Sequence, residues 1–208
     1  MSGAPRESGV RQAFRAIRTP GVTKFAPLAG LASGALAGAV YWLAVQLWPS
    51  SVALILSMLA GALLTHDVRD AASPRGIDTL GTLFYVLLKY NVLMALSAAK
   101  LPFDAPSNTA LCLIMICGYG AARSLQVCLL ATRAERAKAH LSPLDSGFAL
   151  LLGFAPSLLL GMPGLIGLAA AVTAALALSA APRAALMFAP WIAETCFYLG
   201  ALASWRYI

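Results

Sequence analysis

Apolar residues fall along this chain in seven long runs, at about 26–48, 50–65, 80–99, 108–131, 147–162, 164–181 and 184–204. A helix needs roughly 20 apolar residues to cross a hydrocarbon core about 30 Å thick, so these runs predict membrane-spanning α-helices. The second run is short. The fifth contains Pro156 and closes on Gly161-Met162-Pro163-Gly164, so the fifth and sixth can alternatively form one re-entrant hairpin. The pattern predicts an all-α fold: a polytopic transmembrane helix bundle of six or seven spans. It forms one domain over residues 25–208, after a polar leader over 1–24.

Composition strengthens this reading. The chain is 60% hydrophobic and only 11% charged, with a mean hydropathy of +0.79, more apolar than a soluble domain of this length. The leader carries Arg6, Arg11, Arg15, Arg18 and Lys24 before the first apolar run begins near Phe25. A cleavable signal peptide would begin its apolar core much earlier, so none is expected. In a soluble protein the net charge of +7 would suggest nucleic acid. Here it reads as an orientation signal, and no nucleic-acid partner is expected.

With the N-terminus in the cytoplasm, eleven basic residues lie inside: the five of the leader, Arg69, Arg75, Arg133, Arg136, Lys138 and Arg183. Only Lys100 and Arg206 lie outside, and Lys89 and Arg123 stand within spans. Basic residues concentrate on the cytoplasmic side of membrane proteins, so an N-in orientation is expected. Cys112, Cys117, Cys128 and Cys196 all sit in apolar runs without paired spacing, as small packing residues do.

Charge inside a span is costly and is usually turned inward, where it is paired or functional. Lys89, Arg123 and Glu194 qualify. Glu194 can pair with Lys89 or Arg123 to hold helices together, or these groups can line a polar cavity; both readings stand. A second concentration of charge follows the second run, in "THDVRDAASPRG" at 65–76, with His66, Asp67, Arg69 and Asp70, and Asp78 close behind. As a solvated turn, Asp70 balances Arg69, and Pro74 with Gly76 breaks the helix. As a site, Asp67 and Asp70 offer hard oxygens of the kind Mg²⁺ takes, with His66 beside them.

Taken together, these stretches resemble adenosylcobinamide-GDP ribazoletransferase, or cobalamin synthase, a polytopic inner-membrane enzyme family. "AFRAIRTPG" supplies Arg18 and Pro20, and "FAPLAGLASGALAGAVYWLAVQLWP" supplies Pro27, Leu28, Gly30 and a small-residue first span. "THDVRD" stands where members carry an acidic His-x-Asp-Gly-x-x-Asp motif, with His66 or Asp67 in the place of its first aspartate. "IDTLGTLFYVLLKY" supplies Asp78, Gly81, Thr82 and Lys89; "GAARSLQV" supplies Arg123; and Glu194 matches a glutamate of the last span. The Asp-Gly pairs of the family motif are absent here. So is the family's Gly-rich segment before the last span.

The resemblance implies a Mg²⁺-dependent transfer of cobalamin (vitamin B12) biosynthesis, in which α-ribazole, or its 5′-phosphate, attacks adenosylcobinamide-GDP and GMP leaves. It implies Asp67 and Asp70 as metal ligands and His66 as a ligand or base. Lys89 and Arg123 would bind phosphate oxygens, and Glu194 would orient one of them. It places the chain in the inner (cytoplasmic) membrane of a bacterium, with its site facing the cytoplasm. The alternative is a non-catalytic membrane subunit or transporter-like relative of that family. The signature of phosphatidyl-alcohol transferases is missing, as are a P-loop, a dinucleotide fingerprint, zinc spacing and a nucleophile elbow.

Overall fold

The computed structural model describes residues 25–65, 76–99, 107–132, 143–180 and 188–204, which form seven α-helices with no strand among them. They are α1 (Ala26–Ala44), α2 (Ser50–Thr65), α3 (Gly76–Ala98), α4 (Ser107–Thr132), α5 (Pro143–Leu158), α6 (Met162–Ser179) and α7 (Ala189–Ser204). Each corresponds to one predicted run, and the ends move for identifiable reasons. α1 stops at Ala44 rather than near 48 because Pro49 holds the preceding residue out of helical backbone. The chain instead makes a tight turn, in which the Trp48 N–H donates to Ala44 O at 2.8 Å. α5 starts and ends earlier than its run. Pro143 suits a first helical position, and beyond Pro156 the chain turns at Gly161, whose φ of +62° only glycine adopts without strain. α5 and α6 are therefore two helices joined by a turn. α5 packs mainly on α4, and α6 on α7, with little contact between the two.

Four helices, α1, α3, α4 and α6, are long and apolar enough to cross a membrane. The other three have 16 residues each, about 24 Å at 1.5 Å per residue, short of a core of about 30 Å. The molecule is a multi-pass helical membrane bundle with three short members. Its large exposed apolar side chains, among them Leu83, Phe84 and Leu87 of α3, are what a lipid-facing surface requires.

α4 is the centre, packed by α1, α5 and α7. Apolar side chains gain little by leaving lipid for protein, so close backbone approach at small residues holds such helices together. α1 presents Gly30, Gly34 and Gly38 at four-residue spacing, and a Cβ at Gly34 would stand 2.7 Å from the Cα of Ile116. At the same seam the Cys112 Sγ donates to Gly38 O at 3.1 Å. Ser57 Oγ donates to Ala37 O at 2.7 Å and ties α2 to α1.

Gly30 lies against Arg123 and Gly38 against Cys112, so α1 and α4 run antiparallel. α1 therefore begins at the end of the bundle where α4 finishes, α2 ends and α3 begins. We call this the near end. In sequence, residues 66–75 stand between the end of α2 and the start of α3.

Candidate functional site

α3 carries Tyr85 and Lys89 one turn apart on one face, and α7 carries Glu194 and Tyr198 in the same relation. α4 adds Tyr119 from the middle of the bundle. These five side chains meet. The Lys89 ammonium lies 2.5 Å from Glu194 Oε1, and both side chains are only 5% exposed. Lys89 Nζ also donates to Tyr119 OH at 2.9 Å and to Tyr85 OH at 3.3 Å. Tyr85 OH donates to Glu194 Oε2 at 2.7 Å, and Tyr198 OH to Glu194 Oε1 at 2.9 Å.

All three ammonium protons have acceptors, and the carboxylate accepts from two phenols besides the ammonium. Removing two charges from water costs several kcal/mol each, and only a pair satisfied in this way offsets that cost. The Tyr119 ring adds electrostatic attraction, with its centroid 4.2 Å from Lys89 Nζ. Glycines make room for the phenols: a side chain at Gly61 would overlap the Tyr119 hydroxyl, and one at Gly118 would overlap the Tyr198 ring.

Beside this cluster, between α2 and α3, lies a cavity of about 610 Å³. α2 lines it with Ile55, Met58, Leu59 and Ala62, and α3 with Thr82, Tyr85, Val86 and Lys89. Tyr119 and Trp191 close it. Trp191 stacks on Tyr85, with ring centroids 4.9 Å apart and planes 12° from parallel.

The structure thus brings Lys89 and Glu194 together, meeting the expectation that Glu194 pairs with one of the intramembrane cations. Arg123 stands one turn beyond Tyr119 on α4, toward the near end. Its stem lies against Gly30 of α1, and its Nη1 donates to Gln126 Oε1 at 3.0 Å. His66, Asp67 and Asp70 lie outside the described residues. Among the described residues no three His, Cys, Asp or Glu side chains converge on a metal position, and Glu194 is committed to Lys89 and two phenols.

Sequence reasoning missed Tyr85, Tyr119 and Tyr198. For two of them a signal was present, because a phenol one helical turn from a charge inside an apolar run can satisfy it. Tyr119 carries no such signal, since its partner comes from another helix.

The family model described as CobS, cobalamin-5-phosphate synthase, matches residues 6–67. The match spans α1 and α2 and ends inside the acidic stretch, at Asp67; Lys89, Arg123 and Glu194 lie beyond it. It supports the resemblance read from the sequence, and with it a role in cobalamin biosynthesis. No curated protein and no solved structure matches the chain.

Proposed function

We propose, from the cobalamin-5-phosphate synthase match over α1 and α2, that this chain is the membrane transferase joining adenosylcobinamide-GDP to α-ribazole or its 5′-phosphate. The acceptor 5′-hydroxyl attacks the cobinamide-side phosphorus, a new P–O bond forms, and the bond to GMP breaks. The hydroxyl proton passes to a base, for which His66 is the candidate. Transfer of this kind depends on positioning and on neutralising charge at the phosphate oxygens. Asp67 and Asp70 would hold the Mg²⁺, which when bound supplies that neutralisation. Arg123, near the same end of the bundle, would take phosphate oxygens. Lys89 would have to give up a hydrogen bond to do the same. We assign it, with Glu194, to fixing α3 against α7 and so the helix that follows the acidic stretch. The near end faces the cytoplasm in this reading, as the distribution of basic residues favours and as nucleotide substrates require.

The observation that carries the reading is the family match running into the acidic stretch at the near end. Its test is GMP release from adenosylcobinamide-GDP and α-ribazole by membranes carrying the protein, compared with Asp67→Asn and Asp70→Asn. Loss of at least a hundredfold in rate with each, at equal protein in the membrane, is expected. Unchanged release by both variants would refute the assignment. One observation favours the non-catalytic alternative: the Lys89 cluster is closed on itself, as a purely structural lock would be. An inactive wild-type chain that remains folded in the membrane would decide for it.

A further inference from the structure

The cavity between α2 and α3 is the feature the transfer reaction leaves unused. At about 610 Å³ it falls in the range of small-molecule sites, roughly 300–1,000 Å³, and is far too small for a corrin macrocycle carrying a nucleotide. Its lining includes the aliphatic side chains of Ile55, Leu59 and Val86 and the stacked rings of Tyr85 and Trp191. Aromatic walls favour planar aromatic occupants through offset stacking and edge contacts.

Its floor is Lys89, whose three protons are taken by Glu194, Tyr119 and Tyr85. The cation is neutralised by its partner, so the floor offers no site for an anion. The cavity reaches Ala62 of α2 and Thr82 of α3, each within a turn or two of the near end. Ile55 and Leu59 are 56% and 53% exposed, so one flank faces the bilayer, and a polar occupant would be disfavoured there.

Accepting the transferase reading, we infer that this cleft seats the flat, apolar base of the acceptor nucleoside, with its ribose directed to the near end. The base packs among Leu59, Val86 and the Tyr85–Trp191 pair. The reacting hydroxyl then emerges beside the ends of α2 and α3. Val86 and Leu59 are specificity-determining positions, and they touch the base rather than the reacting atoms.

The test narrows the cleft with Val86→Phe and, separately, Leu59→Phe. Both positions are exposed to lipid, so neither change disturbs the core. Full-length protein in nanodiscs is assayed with α-ribazole and with the riboside of unsubstituted benzimidazole. A rise of tenfold or more in KM for α-ribazole is expected. The smaller riboside should lose less, and the KM for adenosylcobinamide-GDP should stay unchanged. Equal rises for both substrates, or none, would overturn the inference while leaving the transferase reading intact.

Saturable binding of radiolabelled α-ribazole is measured alongside. Binding weakened by both variants in a chain that releases no GMP would uphold the cleft and overturn the transferase. Binding untouched by either variant, with fewer lipids co-purifying, would assign the cleft to an acyl chain and overturn the inference.

Discussion

Lys89 and Glu194 share one closed network in which each charge depends on the other, and that dependence can be measured. Lys89→Met leaves a carboxylate buried without its cation and should destabilise the protein by about 3–5 kcal/mol. Lys89→Met combined with Glu194→Met removes both charges and should recover much of that loss. Thermal unfolding in detergent reads both, and a double variant no more stable than the single would show that the pair is not the stabilising unit. Gly118 is equally specific: a Cβ there would overlap the Tyr198 ring. Gly118→Ala should lower stability by about 1–3 kcal/mol through overpacking, read by the same unfolding.

The three charged residues of the cluster's neighbourhood were legible in the sequence because charge in an apolar run is conspicuous. Which of them meet was not. Pairing between helices depends on rotation and register, and Glu194 had two cations within plausible reach.

Helices themselves are the most legible level. Seven apolar runs became seven helices, since a lipid-embedded backbone must satisfy its own hydrogen bonds. Their ends shifted at Pro49, Pro143 and Gly161, where local backbone limits override hydropathy. The small-residue character of α1 was also visible in "GLASGALAG", but not that its partner is α4. That partnership makes a prediction at this scale. Gly34→Leu would drive α1 off Ile116 and should destabilise the bundle by at least about 1–3 kcal/mol. Leu36→Ala, on the 40% exposed outer side of the same helix, should change little. Equal effects from the two, in the midpoint of thermal aggregation, would mean that α1 does not seat on α4 through its glycines.

For the whole molecule, the antiparallel path puts the start of α1, the end of α2, the start of α3 and the end of α4 at one end. In the proposed orientation, in which the Lys and Arg residues divide eleven against two, that end would face the cytoplasm. In a cysteine-free background, Ser73→Cys should react with a membrane-impermeant thiol reagent only after the cells are opened. Trp48→Cys, in the turn between α1 and α2, should react in intact spheroplasts. The reverse pattern would invert the protein in its membrane and move the acidic stretch away from cytoplasmic nucleotides. At this scale, the helical layout was legible from hydropathy, and the sidedness read from charge is what the thiol labelling tests. The cleft between α2 and α3 was not, because a cavity arises from where two helices fail to touch.

The most direct measurement is synthesis of the cobalamin product by membranes carrying this protein, supplied with adenosylcobinamide-GDP and α-ribazole. It is run with Mg²⁺ and then with a chelator. Product that forms with Mg²⁺, stops with chelator and returns on re-addition is the result expected of a transferase working at the near end. Folded, membrane-inserted protein that forms no product under either condition would contradict it and leave the chain a non-catalytic relative.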